Sequence, residues 1–140
     1  MIERLKLQTD PKIKKKVVEL KVTGRIAEWI LSKLKFTLTG TTISLPFLFV
    51  IVYLQSAKDN PKNMALVRIH ENQHMLQSES MGPFFVFWLK YIWQDVKWFY
   101  MTLSLSDMYY NQKYEAEAYD VQDEVANGKL PYPEWAKGPL

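Results

Sequence analysis

The chain has 140 residues, of which 48% are hydrophobic and 14% aromatic, and it carries a net charge of +3 at pH 7. This length and apolar content favour one domain, residues 1–140, over two. The absence of cysteine excludes disulfide bonds, cysteine-ligated zinc and a cysteine nucleophile. The lysines of residues 12–16 have no glycine or aromatic residue between them, so we interpret them as solvated surface and predict no nucleic-acid partner.

Residues 1–12 lack the apolar segment of a secretory signal. We therefore expect a cytoplasmic protein, or one incorporated in a virion or other particle. Two later stretches are apolar enough to suggest a membrane. Residues 43–54 are too few to span a bilayer and predict a buried strand. Residues 83–103 are long enough, but Lys90 and Lys97 fall in the middle of the segment, so we predict no transmembrane segment.

Residues 1–60 are predicted to be mainly β-sheet with one helix. Apolar and polar residues alternate over residues 17–23, which is typical of a strand with one exposed face. Glu19 lies on the polar side of that pattern and is expected to face solvent. The apolar residues of 25–35 recur at helical spacing, which predicts a surface helix after Gly24.

A β-hairpin is predicted next along the chain. Its strands are residues 36–39 and 42–54, and Gly40-Thr41 forms the turn, with Gly40 adopting the positive φ that a tight turn requires. The sheet would then contain about three strands, in a mixed or antiparallel arrangement.

Residues 61–127 are predicted to be helical and to hold the metal site. The three helices cover residues 64–79, 83–103 and 107–125, and Asn127-Gly128 ends the last of them. Residues 128–140 contain three prolines and form a non-helical tail. The predicted fold class is α+β, with a small N-terminal β-sheet followed by three helices.

The most informative motif is His70-Glu71-Asn72-Gln73-His74, an H-E-x-x-H pattern that uses both histidines of the chain. Residues four apart on a helix lie on the same face, so both imidazoles can reach one Zn²⁺. Glu71 lies one position round the helix, within reach of a water at the open coordination position of the metal. The spacing predicts a zinc centre with His70 and His74 as ligands.

A catalytic zinc needs a third protein ligand, which must be a carboxylate because no other histidine is present. The candidates are Glu79, Asp107, Glu115, Glu117 and Asp120. Glu79 lies on the same helix as the histidines but is rotated away from their face. Glu115 and Glu117 lie among alanines that would let the last helix pack closely on its neighbour. We favour Glu115 and keep Glu117 as the alternative.

The chain resembles the gluzincin metallopeptidases, and more closely their small bacterial and phage relatives, the minigluzincins. The similar residues are His70, Glu71, His74, Gln77, the aromatic stretch 82–93, and Glu115, Glu117, Ala118 and Tyr119. The resemblance covers residues 68–119. It implies a zincin-like fold, zinc held by His70, His74 and Glu115, and hydrolysis of a peptide bond by a zinc-bound water with Glu71 as general base.

Three details of this resemblance concern the surroundings of the metal. Many gluzincins have an aspartate at the position of Tyr119, where it orients a ligand histidine. Oxyanion stabilisation must come from a backbone N–H or a tyrosine, and the candidates are Tyr109, Tyr110, Tyr114 and Tyr119. Gln77 either hydrogen-bonds near the site or is solvated, and we favour the solvated interpretation. A peptide or protein substrate would add to an edge strand of the sheet.

A second hypothesis is a structural subunit of a larger assembly, such as a virion or phage-tail-like particle, with a metallopeptidase-like zinc site that need not be active. The aromatic helix has more apolar surface than so small a core needs, and the proline-rich tail resembles a docking arm. Both are candidate surfaces for protein partners. Zinc retained for stability would explain the motif without turnover.

Overall fold

The computed structural model describes residues 1–5, 7–33, 40–55 and 64–136. The described chain is α+β with the strands first, as predicted. Its elements are β1 (Ile2–Leu5), β2 (Lys16–Thr23), α1 (Arg25–Lys33), β3 (Gly40–Ser44), β4 (Leu48–Gln55), α2 (Met64–Ser80), α3 (Phe84–Thr102), α4 (Leu105–Asn111), α5 (Lys113–Ala126) and a final 3-10 helix (Glu134–Ala136). Four α-helices therefore follow the sheet, and the prediction of three was wrong. None of the described helices has both the length and the apolar content needed to cross a bilayer.

The sheet is mixed and has four described strands, in the order β1-β2-β4-β3. The central strands β2 and β4 run parallel, with Val18 opposite Val50, and the two outer strands pair antiparallel to them. The estimate of about three strands missed β1, which is short and shows no clear alternation. It is fixed by pairing with β2 and by the Met1 amino group, which donates to Thr23 O over 3.0 Å.

The predicted turn at Gly40-Thr41 was wrong, because Gly40 begins strand β3 and lies opposite Tyr53 of β4. Its φ is not positive. The β3–β4 connection lies at residues 45–47 instead, where Leu45 N donates to Leu48 O over 3.0 Å. Pro46 has no N–H for a ladder hydrogen bond, which is why the apolar run 43–54 divides into a turn and a strand. Residues 36–39, the other predicted strand, lie outside the described residues.

Helices cover both faces of the sheet. On one face Phe49, Ile51 and Tyr53 pack against Val67 and Met75 of α2. Alternate residues of a strand point to opposite faces, so Val22 and Leu54 face the other way and pack on Ala27 of α1. Helix α2 therefore lies against the sheet, with α5 alongside it.

The expectation that Glu19 faces solvent was wrong. Its side chain is buried on the α2 side of the sheet, where Arg68 Nε lies 3.2 Å from Oε1. Tyr53 donates its hydroxyl to the same oxygen over 2.6 Å. The polar side of the β2 pattern thus faces a polar partner on α2 rather than water.

The predicted last helix, residues 107–125, is two helices. Gln112 has an extended backbone, with φ −65° and ψ 145°, and its side-chain oxygen accepts from Tyr114 N over 3.0 Å. That side chain caps the start of α5 and separates it from α4. The break changes the direction of the chain just before Glu115.

The C-terminal tail packs on its own domain. Ala136 is fully buried against Ile69 of α2 and Val125 of α5, and Trp135 O accepts from Arg68 Nη1 over 2.5 Å. The predicted non-helical tail therefore contains a short 3-10 helix that contacts the motif helix. Residues 137–140 lie outside the described residues.

Candidate metal centre

The two histidines of the motif lie one turn apart on α2. Their ring centroids are 5.0 Å apart with the ring planes at 80°, and both side chains are buried. The four-residue spacing brings them to one face of the helix, as the sequence predicted. That face is turned toward α5.

Helix α5 supplies the third group, Glu115. Its Oε2 lies 2.9 Å from His70 Nε2, and its Oε1 lies 3.2 Å from His74 Nε2. Ala118, one turn further along α5, is completely buried and lets the two helices approach closely. The potential ligand atoms of His70, His74 and Glu115 all lie within 4.8 Å of one another, so this group could hold a metal ion.

The donor atoms also fit a metal ion in their hydrogen bonding. His74 Nε2 is buried, and its 3.2 Å contact with Glu115 Oε1 does not have the geometry of a hydrogen bond, so it has no hydrogen-bond partner among the described residues. A buried imidazole nitrogen without a partner loses its interaction with water and gains nothing in return. A cation bound between the two Nε2 atoms and the Glu115 carboxylate would remove this deficit. Two imidazoles and one carboxylate leave an open position on a four-coordinate metal.

The other carboxylates that the sequence offered are elsewhere. Glu79 accepts from Lys14 N over 2.7 Å, away from the histidines. Asp107 and Asp120 are exposed. Glu117, kept as the alternative ligand, has a side chain that is 45% exposed and contacts Gln77 rather than a histidine. The geometry favours Glu115 over Glu117 as the third group.

Gln77 is buried and hydrogen-bonded, so its solvated interpretation was wrong. Its Nε2 donates to Tyr114 O over 3.1 Å and to Glu117 Oε2 over 3.0 Å. The amide oxygen therefore faces His74 and accepts from Nδ1–H over 3.0 Å. With the hydrogen on Nδ1, the lone pair of His74 lies on Nε2, which points to the candidate metal position.

His70 is oriented by packing on an aromatic ring. The ring of Tyr119 contacts it edge-on, with centroids 4.4 Å apart, at the sequence position where many gluzincins have an aspartate. His70 Nδ1 is buried and has no hydrogen-bond partner among the described residues. The two histidines of the motif therefore have different supports, a ring for His70 and an amide for His74.

Tyr91 of α3 is a site residue that the sequence reasoning missed. Its hydroxyl donates to Glu115 Oε1 over 2.5 Å, and its ring stacks on Tyr114 at 12°. Burial, together with the neighbouring Glu115 charge, raises the pKa of Tyr91 well above its usual value. Tyr91 lies four residues after Phe87, the buried residue of α3, and this spacing could have indicated that Tyr91 faces the interior. Aromatic residues on every side of the helix obscured that pattern.

The charges within the site are strongly coupled. Burial by itself would raise the pKa of Glu115, but the neighbouring imidazoles of His70 and His74 outweigh it and hold that pKa well below its usual range. Burial lowers the pKa of His74, yet the Glu115 carboxylate opposes it and raises that pKa to about 9.

Glu71 is buried beside the candidate metal ligands His70, His74 and Glu115. Its Oε2 accepts from the Thr42 hydroxyl of β3 over 2.6 Å, and burial raises its pKa while His74 opposes that shift. A Cβ on Gly40 would lie only 3.2 Å from Glu71 Oε1, so glycine there leaves room for the carboxylate. Glu71 lines a cavity of about 90 Å³ together with Gly40, Thr41, Thr42, His74, Phe87, Trp88, Tyr91, Tyr109 and Glu115.

The tyrosines named as oxyanion candidates differ in their position relative to the cavity that Glu71 lines. Tyr109 lines the same cavity as Glu71, whereas Tyr119 packs on His70 and Tyr114 is buried between Phe87 and Tyr91. The side chain of Tyr110 lies outside what the structure describes. Tyr109 is therefore the candidate that faces the cavity.

Comparisons with protein-family models, with curated proteins and with solved structures find no match to this chain. The candidate site is consequently defined by its own residues and geometry. Those residues are the ones that the H-E-x-x-H motif and the later Glu115 element indicated.

Proposed function

We propose that this protein is a zinc-dependent metallopeptidase of the gluzincin type. The observation that carries the proposal is the convergence of His70, His74 and Glu115, whose ligand atoms lie within 4.8 Å of one another beside the buried carboxylate of Glu71. Metal binding alone requires only the first three groups. The fourth group, in the same cavity, is what favours catalysis over a purely structural metal.

His70 Nε2, His74 Nε2 and the Glu115 carboxylate would hold the zinc ion. Two nitrogen ligands and one oxygen ligand are typical of hydrolytic zinc sites, in contrast to the four-ligand sets of structural zinc. Bound zinc supplies a Lewis acid that polarises a carbonyl group and makes water more acidic. Tyr91 keeps the Glu115 carboxylate in place through its 2.5 Å hydrogen bond, and Gln77 fixes the ring of His74.

Glu71 is the general base of this proposal. It takes a proton from the attacking water and delivers it to the leaving amine. The hydrogen bond from Thr42 fixes one carboxylate oxygen at 2.6 Å, and Glu71 lines the cavity. A base held in this way loses little freedom when the substrate arrives.

Strand β3 supports a peptide as the substrate. It is the last strand of the sheet in the order β1-β2-β4-β3, so one of its edges has no described strand beside it. Residues 40–42 of this strand line the cavity with Glu71. An extended peptide that adds to this edge would pass over the metal-ligand group. The aromatic walls, including Phe87 and Tyr109, would then contact its side chains.

A structural subunit of a larger assembly remains the second candidate. The specific observation in its favour is α3, where a series of large apolar side chains is exposed. Such a subunit could keep zinc for stability and have no turnover. The two candidates differ in what they require of Glu71, because only a catalytic site needs its carboxylate.

The test combines metal analysis with a cleavage assay. We expect one zinc per chain in the wild-type protein and in a Glu71→Gln variant. Hydrolysis of a library of fluorescence-quenched peptides should fall by about 100-fold or more in Glu71→Gln, because a positioned general base contributes at least that factor. The assay measures initial rates at equal zinc occupancy.

Glu115→Ala and Glu117→Ala form the matched pair for metal binding. The first should lose zinc, and the second should keep it, because Glu117 contacts Gln77 and no histidine. A Glu71→Gln variant that cleaves as fast as wild type would disprove the role of Glu71. One zinc per chain with no cleavage of any peptide would favour the assembly subunit.

A further inference from the structure

Helix α3 presents an apolar face that nothing in the described chain covers. Its only buried residue is Phe87. Six large side chains on the opposite side are each more than half exposed, and we call them the apolar stripe: Phe85, Leu89, Ile92, Trp93, Val96 and Tyr100. At 3.6 residues per turn they fall within an arc of roughly 100° and extend over about 22 Å. Exposed patches of this size mark interaction surfaces in soluble proteins.

Positive charge borders the apolar stripe. Lys90 and Lys97 lie along one side of it, both exposed, and neither forms an ion pair with any residue that the structure describes. The acidic residue of α3, Asp95, is half-buried and lies on the other side of the stripe from the two lysines. The exposed charged side chains of this helix, Lys90 and Lys97, are therefore both basic.

A second exposed apolar group lies next to α3, at the tip of the β3–β4 turn. Phe47 is 87% exposed there. Trp88 of α3 donates its indole N–H to Ser44 O over 3.0 Å, which joins the helix to this turn. Lys15 donates to Leu45 O over 3.2 Å and adds a positive charge at the turn. The turn therefore combines an exposed apolar side chain with a nearby lysine, as α3 does.

We propose that α3 docks on the surface of an anionic lipid bilayer, with its axis in the membrane plane and the apolar stripe immersed at the interface. Amphipathic helices that lie in the membrane interface have tryptophan, phenylalanine and leucine on one side and basic residues on the other. In α3, Lys90 and Lys97 also interrupt the apolar sequence, so the helix does not span the bilayer. Tryptophan and tyrosine favour the interface because they have an apolar ring and a polar group. Trp93 and Tyr100 supply both residue types.

The charge pattern distinguishes lipid from a second copy of the chain. Antiparallel pairing of two apolar stripes would align the Lys90 and Lys97 residues of both copies along one border. No exposed acidic residue of α3 could offset them. Anionic headgroups supply the missing negative charge, and each lysine near such a surface strengthens binding.

Docking in this orientation leaves the candidate metal centre on the side of α3 away from the lipid. Phe87, on the side of α3 opposite the stripe, contacts the ring of His74 with centroids 6.3 Å apart. One side of the helix therefore forms a wall of the metal centre while the other meets lipid. The docking proposal does not depend on the proposed peptidase activity, and a Glu71→Gln variant should bind vesicles as the wild type does.

The experiment is sedimentation of the full chain with two kinds of vesicle, phosphatidylcholine alone and phosphatidylcholine mixed with phosphatidylglycerol. We expect binding to the anionic vesicles, at least about tenfold weaker binding to the neutral ones, and weakening by added salt. Trp93→Ala should reduce binding about tenfold. Trp29→Ala is the matched control, because both tryptophans are 64% exposed and Trp29 lies on α1. It should bind as the wild type does.

A second pair of variants tests the charge. Lys90→Gln with Lys97→Gln should remove most of the preference for anionic vesicles, whereas Lys33→Gln with Lys129→Gln, also at exposed lysines, should keep it. The proposal is overturned if the protein does not bind vesicles, or if Trp93→Ala and Trp29→Ala weaken vesicle binding equally. It is also overturned if the variant with Lys90→Gln and Lys97→Gln keeps the preference for anionic vesicles. A concentration-dependent dimer that Trp93→Ala dissociates, without vesicle binding, would assign the stripe to a second copy.

Discussion

Helices α2 and α3 invert the usual relation between polarity and burial. Helix α2 is rich in charged and amide side chains, yet most of its residues from 67 to 78 are buried. Helix α3 is dominated by aromatic and aliphatic side chains, yet only Phe87 is buried. Hydrophobicity alone would place the two helices the other way round. Their positions instead follow from which helix has specific polar partners.

Polar side chains connect α2 to three neighbouring parts of the chain. The hydrogen-bonded pairs are Arg68 with Glu19, Glu71 with Thr42, Asn72 with Asp10, Gln77 with Glu117 and Ser78 with Ser44. They connect the helix to the sheet, to the N-terminal segment and to α5. Buried polar groups are tolerated only when they are paired in this way. A helix fixed to three neighbouring parts of the chain can keep metal ligands in a constant geometry.

The largest effect in this comparison is expected from Arg68→Met. The side chains of Arg68 and Glu19 are 2% and 5% exposed, and removing the arginine would leave the glutamate buried without its charge partner. Breaking a buried ion pair on one side destabilises a protein by about 3–5 kcal/mol. The free energy of unfolding, measured with urea, should fall by that amount.

Two controls sharpen this prediction. Lys113→Met breaks the pair with Glu117, whose side chains are 63% and 45% exposed, and should cost no more than about 1 kcal/mol. Adding Glu19→Leu to Arg68→Met should restore much of the stability, because no unpaired charge remains. If Arg68→Met and Lys113→Met were equally mild, polar pairing would not be what fixes α2.

An intermediate effect is expected from Gln77→Leu. The substitution keeps the volume of the side chain but removes the acceptor for His74 Nδ1 and the donors to α5. Loss of such an outer partner typically lowers metal affinity about 10- to 100-fold. Competition with a chromophoric zinc chelator would measure the change.

Gln73→Leu is the control for that variant, since it makes the same substitution on the same helix away from His74. Gln73 lies in a groove formed with Asp10, Leu76 and Pro131. Its zinc affinity should equal that of the wild type. Equal affinities in the two leucine variants would show that Gln77 does not act through His74.

The sequence predicted local features better than distant pairings. The strand at 17–23 and the helices at 25–35, 64–79 and 83–103 agree with β2, α1, α2 and α3, because their apolar spacing is a property of nearby residues. The group of His70, His74 and Glu115 was also predicted. One helical turn relates the histidines, and the chain offers few other ligands.

The features that were missed depend on contacts between distant segments. Glu19 is buried because Arg68, far along the sequence, supplies its partner. The break at Gln112 depends on one side chain capping α5, whereas the helical pattern continues through it. Gly40 was assigned to a turn because glycine is common there, yet its small size serves the approach of Glu71. No local pattern contains these partners.

The smallest effect on stability is expected from Trp93→Ala, the same variant that should weaken vesicle binding. A side chain that is 64% exposed and packs on no described core residue contributes little to folding, and such substitutions usually change the free energy of unfolding by less than about 0.5 kcal/mol. Phe87→Ala, on the buried side of the same helix, should cost about 3–5 kcal/mol. Urea unfolding of the two variants measures the contrast within one helix. A large decrease in the free energy of unfolding of Trp93→Ala would mean that the apolar stripe packs against the protein itself in solution. The apolar side chains of α3 would then be buried, as hydrophobicity alone predicts.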